Sequence, residues 1–263
     1  MLQKVFFSDL GRRDYQETWD FQENLLRKNV DVKWRKSRDL LPADTGARTS
    51  LPLVETDMTD TINYLLFVEH PPVYTLGKTG HEEHLLLPEA EIKEQGIDFV
   101  RTNRGGDITF HGPGQIVGYP ILDLEKFGTD IGMYLRNLEE TIIRTLADYG
   151  IRGDRSRGET GVWLDPGMPG KARKIAALGV RCSRWITMHG FALNVNTDLQ
   201  YFDGIVPCGI RNKQVSSMAL ELGRPVSTAE VKAKLRMHFE SVFEAELLPA
   251  ADDLLTTVSN GKP

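Results

Sequence analysis

Two residue types in this chain could together do covalent chemistry: the thiol of Cys208, in Ile205-Val206-Pro207-Cys208-Gly209-Ile210, and the amine of Lys174, in Arg173-Lys174-Ile175-Ala176-Ala177-Leu178-Gly179. A thiol attacks as thiolate, and with an unperturbed pKa of about 8.5 it is mostly protonated at neutral pH, so a catalytic cysteine needs a positive charge beside it. Lys174 could supply that charge. Pro207 and Gly209 put Cys208 on a defined turn, with room for backbone or substrate to approach. The chemistry suggested is acyl transfer through a thioester. The competing reading is an ordinary small buried cysteine and a solvated lysine. The second thiol, Cys182, falls in what reads as the connecting turn of a hairpin, Cys182 to Trp185, and is a bystander on this reading.

A second unusual stretch is Arg104-Gly105-Gly106-Asp107-Ile108-Thr109-Phe110-His111-Gly112-Pro113-Gly114-Gln115. It lacks the Gly-Lys-Ser/Thr ending of a phosphate-binding P-loop and the glycine spacing of a dinucleotide fingerprint. What remains is a tight strand-loop-strand unit whose missing side chains leave room for a ligand, or a purely structural glycine-rich hairpin. His70, His81 and His84 have no usual metal spacing and read as exposed residues, so neither a metal nor a cofactor is expected.

The elements needed to position these residues follow from periodicity. Asp14 and Glu17 form a capping box for an amphipathic helix over 15–28. From 29 to 57 the periodicity fades into charged, Pro- and Gly-containing sequence, which predicts a surface insertion. Leu65-Leu66-Phe67-Val68 and Val73-Tyr74-Thr75-Leu76 read as strands around Pro71-Pro72, and Ile97 to Thr102 adds another. Apolar residues from Ile131 to Tyr149 recur at steps of four and three, predicting a long helix ending at Gly150. Gly161-Val162-Trp163-Leu164, Lys174 to Val180 and Ile186 to Val195 are strand candidates. Ser227 and Glu230 open a last helix, and a polar tail runs over about 250–263. Interleaved strands and helices with hairpins among them predict a single α+β domain, 1–263, built on a mixed β-sheet with packed helices.

Composition bounds the function. With 40% hydrophobic and 26% charged residues, and no apolar run near the roughly 20 residues a membrane span needs, the chain reads as cytoplasmic, with free thiols. A net charge of −5 argues against a nucleic-acid partner. Between Arg152 and Arg184, however, eight cations face three acids, a candidate landing site for an acidic partner.

Three segments, RGGDITFHGPGQ, KIAALGVR and HGFALNVNTDLQYFDGIVPCGI, together resemble the lipoyl(octanoyl) transferases, the lipoate-protein ligase B family, over roughly residues 60 to 220. The resemblance implies the biotin/lipoate-protein ligase-like fold. It also implies transfer of an octanoyl or lipoyl group from acyl carrier protein to the acceptor lysine of lipoyl domains, those of 2-oxoacid dehydrogenase complexes and the glycine cleavage H protein. By that resemblance Cys208 is the nucleophile and Lys174 the lysine that lowers its pKa. The implied substrate-binding positions are Arg104, Gly105, Gly106, Asp107, Ile108, Thr109, Phe110 and His111, then Ala177, Leu178 and Gly179, and Gly190, Phe191 and Ala192. Phe110 stands where a tyrosine is often found, and the connections over 29–57 and 165–173 look long for the family. Two other readings compete: an ATP-dependent lipoate or biotin ligase, which needs no nucleophilic cysteine, and a non-catalytic acyl-carrier or lipoyl-domain binding module.

Overall fold

The computed structural model describes residues 2–39, 59–206 and 214–250. Nearly continuous burial marks the strands at its centre. β2 (Asn63–Glu69), β6 (Gln115–Ile121) and β10 (Ile186–Asn194) are buried almost throughout, as strands covered on both faces must be. They belong to a mixed sheet in the order β12 (Ala245–Pro249), β1 (Gln3–Arg12), β2, β6, β10, β9 (Arg173–Ser183), β8 (Glu159–Leu164), β7 (Asp154–Ser156). The pairs β1–β12 and β1–β2 are parallel, whereas β2–β6, β6–β10, β10–β9, β9–β8 and β8–β7 are antiparallel. A two-residue strand, β11 (Gln214–Val215), pairs in parallel with the start of β9. A smaller sheet joins β3 (Val73–Leu76) to β4 (Asp98–Arg101) in parallel and to β5 (Ile108–His111) antiparallel.

Helices cover both faces of the large sheet, giving the α+β architecture expected. On one face, α3 (Ile131–Ala147) and α5 (Thr228–Phe243) pack Leu138, Ile142, Leu146, Leu235 and Phe239 against Phe67, Ile175 and Phe191. Both begin where the sequence places them: Ser227 accepts from Glu230 N as the predicted capping box requires, and Asp130, a cap not predicted from the sequence, accepts from Met133 N. On the other face lies α1 (Tyr15–Asp39), whose Phe21 and Leu25 pack with Val117, Tyr119 and Met188. The small sheet has its own core of Tyr74, Ile108, Phe110 and Phe202, under α2 (Glu89–Glu94) and a 3-10 turn at Leu199–Gly204. A short α4 (Met218–Leu222) follows β11.

Helix α1 continues well beyond the predicted end at residue 28. Buried positions persist through Asn29 and Val32, and the buried Asn29 donates to Ile62 O (2.9 Å) and accepts from Ile62 N (2.8 Å). A polar residue bonded to backbone hides the apolar period, so residues 29–39 of the expected insertion are helix; its residues 40–57 lie outside the described residues, as does the tail from 251. The strand of Cys182 is also longer than predicted. β9 runs through Ser183, and the turn is Arg184-Trp185, both at positive φ (50° and 65°), as a two-residue hairpin turn requires.

Candidate active site

Lys174 is held from three directions. It is the second residue of β9, paired with Trp163 of β8 on one side and Val215 of β11 on the other, and its carbonyl accepts from Ser216 N (2.9 Å). Its Nζ sits 4.6 Å from the Trp163 ring centroid, a cation–π contact that fixes the ammonium while it is buried to 9% exposure. Gly161, at φ 127°, leaves the lysine stem its space, since a Cβ there would lie 3.3 Å from Lys174 Cε. Cys208 falls outside the described residues. Cys182 is half-buried near the far end of β9, eight positions along the strand, and burial pushes its thiol pKa up, away from the thiolate.

A cavity of about 300 Å³ adjoins Lys174, lined also by Thr109, Gln115, Asn194 and Phe202. Thr109, Ala177 and Ala192 are shared with a second cavity of about 480 Å³ lying further along β9 and β10. The Arg104–Gly106 loop closes over that inner cavity. Gly105 N donates to Val180 O (2.9 Å), and at Gly179 a Cβ would come within 2.7 Å of Gly105 O, so only glycine lets the loop dock on the strand.

Of the positions predicted to bind substrate, Arg104, Gly106, Asp107, Ile108, Thr109, His111, Ala177, Leu178, Gly179, Gly190, Phe191 and Ala192 line this inner cavity. Gly105 and Phe110 do not. Alternation along β5 sends Thr109 and His111 toward the cavity and Phe110 to the opposite face, where it stacks on Tyr201 at 4.5 Å. A tyrosine hydroxyl at 110 would therefore serve the small-sheet core, not the cavity. The Asp107 carboxylate is engaged below its own loop, with Oδ1 accepting from His81 N and Ile108 N and Oδ2 2.5 Å from His84 Nδ1.

A directed chain of hydrogen bonds links the inner cavity to the lysine strand. Arg104 Nη2 donates to Thr75 O (2.6 Å) and Oγ1 (2.9 Å), and Thr75 Oγ1 lies 3.3 Å from His111 Nε2. Gln115 Nε2 donates to Phe110 O and Asn194 Oδ1, so its Oε1 must accept, from His111 Nδ1 at 2.8 Å. Asn194 Nδ2 then donates to Ser216 O, and Ser216 N to Lys174 O. Each amide orientation fixes the next, and with it the His111 tautomer. Arg104 thus grips loop and strand rather than standing open to a ligand.

The imidazoles around the cavity are neutral. Burial drives His70 down to about 4, His111 well below its usual value and His189 to about 3; beside His189, the Arg104 and Arg181 charges add to the effect. Tyr15 stacks on His111 at 5.7 Å, and its pKa is raised to about 12 by burial. His70 Nδ1 donates to Arg13 O and, in the neutral ring, its Nε2 accepts from Tyr119 OH, 2.8 Å each. Of the three histidines expected to be exposed, only His81 is; His70 is fully buried and His84 is tied to Asp107. Their partners come from strands distant in sequence, which spacing does not reveal. Tyr15, Val117, Tyr119 and His189 also line the cavity, and Gln115 and Asn194 tie it to Lys174; Gln115, His189 and Asn194 fall within the matched segments, but sequence alone gives none of the six a place in the site. The signal available was a polar side chain at an otherwise buried strand position.

The basic segment does not form an open landing site. Arg155 pairs with the buried Glu139 and with Glu140, Arg173 with Asp165 and Glu221, and Arg181 with Glu23. The Arg184 guanidinium lies 3.7 Å over the Trp34 ring. Within the segment, the exposed cations without an ion pair among the described residues are Arg152, Arg157, Lys171 and Arg184, the last of them laid on Trp34. Charges counted along the chain meet partners only in the fold.

Comparison with known proteins bears on the family and the fold. The lipoyl protein ligase A/B catalytic domain matches residues 46–240. The chain is 55% identical to an octanoyltransferase of Christiangramia forsetii, over 94% of this chain and 99% of that one. It is 57% identical to an octanoyltransferase of Flavobacterium johnsoniae, over 94% and 100%. Among solved structures, a bi-partite lipoate protein ligase from Thermoplasma acidophilum superposes with a TM-score of 0.66 at 16% identity, covering 98% of this chain and 91% of that one. A lipoate-protein ligase A bound with ATP gives 0.63 at 14%, covering 98% and 93%. At such identities these two likenesses speak to the fold alone. On the sequence match over nearly its whole length, the chain belongs to the lipoyl protein ligase A/B catalytic-domain family and, within it, to the octanoyltransferases.

Proposed function

We propose the following reading of the reaction. The chain is an acyltransferase of protein lipoylation that moves an octanoyl group onto the lysine of a lipoyl domain, with octanoyl-acyl carrier protein as donor and Cys208 as the carrier between them. The observation that carries this is the pair of adjoining cavities along β9 that share Thr109, Ala177 and Ala192, with Lys174 lining the outer one and Gly179 and Gly190 the inner. Such walls accept an apolar chain and leave backbone amides near its carbonyl.

In the first half-reaction the Cys208 thiolate attacks the donor thioester carbon, a new S–C bond forms, and the carrier leaves as thiolate and takes up a proton. In the second, the deprotonated acceptor amine attacks the same carbon, the amide N–C bond forms, and the Cys208 thiolate is released. Lys174 stabilises the thiolate as an ammonium, gives that proton to the departing carrier thiolate and, now neutral, takes the proton lost by the acceptor amine as the amide forms, which restores the ammonium beside the released Cys208 thiolate. Thioester exchange is nearly balanced and aminolysis runs downhill, so neither step consumes ATP. Acceptors would include lipoyl domains of 2-oxoacid dehydrogenase complexes and the glycine cleavage H protein. The residues of these cavities serve one catalytic domain, working in the cytoplasm; among the described residues no helix is long and apolar enough to cross a membrane.

Incubation with octanoyl-acyl carrier protein without ATP, followed by intact-protein mass measurement, should show one octanoyl adduct. Cys208→Ala should abolish adduct and transfer, while Cys182→Ala keeps both. An active Cys208→Ala protein, or acylation that demands ATP and free octanoate, would overturn the reading.

A further inference from the structure

The backbone that runs toward Cys208 is held by a second turn. Val206 N donates to His84 O (2.7 Å), Ile205 bridges Leu85 in the antiparallel sense, and Leu86 N donates to Gly204 O (2.9 Å). Residues 84–86 therefore grip 204–206, and Cys208 follows two positions on. Whatever fixes His84 fixes the approach to the nucleophile.

His84 ends a 3-10 turn, Glu82–His84, whose N-cap His81 supplies no side-chain bond. The turns at Leu124–Lys126 and Leu199–Gly204 differ, each being capped by its own aspartate, Asp123 and Asp198. The turn at His84 takes its acceptor from another loop. Asp107 Oδ1 accepts from His81 N (3.2 Å) at the start of the turn, and Asp107 Oδ2 lies 2.5 Å from His84 Nδ1 at its end. The same Oδ1 accepts from Ile108 N (2.7 Å), so the carboxylate is also fixed to its own strand. The imidazole and carboxylate side chains are only 16% and 13% exposed, and the His81 ring lies edge-on to the imidazole at 5.4 Å. Shielding of this kind strengthens a charge-assisted hydrogen bond. Space is reserved for it, since at Gly80 a Cβ would come within 2.7 Å of Asp107 Oδ1.

Asp107 also lines the inner cavity, and Thr109, two residues further on, lines both cavities. One carboxylate thereby joins the wall of the acyl site to the backbone that delivers the thiol. We infer that Asp107 and His84 are a positioning pair for the transfer reaction: their bond holds residues 204–206 so that Cys208 is within reach of both Lys174 and the acyl carbonyl. Neither side chain need touch the reacting atoms. The inference rests on Cys208 as the acyl carrier and adds what places it.

The test is run in Cys182→Ala protein, where Cys208 is the only thiol. His84→Leu removes the donor to Asp107; His84→Asn, of the same shape as leucine, returns an N–H near the Nδ1 position. Two readings are taken per folded molecule: kcat and KM for octanoyl-acyl carrier protein in transfer to a lipoyl domain, and the pH midpoint of Cys208 alkylation by iodoacetamide. His84→Leu should lower kcat about 10-fold or more with KM within about threefold, because a misplaced nucleophile loses rate rather than substrate binding. The alkylation midpoint should rise by about one pH unit as the thiolate loses its cation. His84→Asn should recover most of both. Asp107→Ala should show the same two changes, and adding His84→Leu to it should change little more, as expected of residues acting through one bond. A brace that served only the fold would lower the melting temperature and leave both readings at their starting values. That result would overturn the inference, as would a loss confined to KM or an Asn variant no better than Leu. Should His84→Leu fail to fold, Asp107→Ala read in the same two ways decides. An octanoyl adduct missing from protein with His84 and Asp107 intact would instead defeat the Cys208 reading itself.

Discussion

Two regions of this molecule bury polar groups, and they do it differently. Under α3, Glu139 is fully buried with every oxygen engaged: Oε1 accepts from Gly161 N (3.0 Å) and Arg136 (2.8 Å), and Oε2 from Arg155 (3.1 Å). Burial raises the Glu139 pKa, and the two arginines and the amide pull against it. Around the inner cavity, beside the Arg104 guanidinium and the Asp107 carboxylate, the polar groups are neutral rings and amides whose tautomers are set by one another, and one acceptor, His189 Nδ1, is left over. A saturated charged knot serves the fold. A partly satisfied neutral network, stabilising less than it could, is what a ligand site requires.

The contrast can be broken from either side. Glu139→Ala strips the knot of its anion; the partly exposed Arg136 and Arg155 turn to solvent, and the buried Gly161 N left unpaired should cost about 1–3 kcal/mol in denaturant unfolding. Transfer per folded molecule should stay at the wild-type rate; a lower rate would mean the knot also serves the site. Gln115→Leu cuts the chain between His111 and Asn194 and should cost about 2–4 kcal/mol, for the groups left unpaired. Here transfer per folded molecule should also fall, by about 10-fold or more, as Lys174's strand loses its tie to the cavity. Wild-type transfer by a folded Gln115→Leu protein would reduce that chain to scaffolding.

Acid should reveal the neutral rings. His70 has a folded pKa of about 4, below its unfolded value, so between the two the unfolded state binds more protons. Stability present above pH 6.5 is therefore lost as pH falls toward 4, by on the order of 3 kcal/mol for this ring alone. Melting curves across that range check it, and His70→Gln should flatten the decline. The smallest effect is expected on the surface. Arg157→Glu should leave the apparent KM for the carrier protein within about twofold, because an exposed charge is screened by salt. A several-fold rise would restore the basic segment as a docking face. Arg155 is unsuitable for that test, since its guanidinium holds Glu139.

Much of the fold was legible in the residues. The helices at 131–147 and 228–243 carry their caps and apolar stripes in plain sequence, and the buried runs of β2 and β10 read as strands. The two glycine-bearing motifs that meet across the cavity were legible too, because Gly105 and Gly179 are needed where backbone touches backbone. What escaped were residues whose role depends on a distant partner. Asn29 looks like the end of a helix until Ile62 satisfies its amide. Arg155 looks like a free cation until Glu139 is placed beneath it.

The chemistry this chain can attempt was therefore determined by its residues alone: a thiol, an amine and a run of glycines make acyl transfer possible wherever they meet. Which imidazoles are charged, which arginines are free and which nitrogen is left without a partner was decided only by the tertiary structure. Proton affinity and hydrogen-bond supply depend on burial and on neighbours brought from other strands, and neither is a property of local sequence.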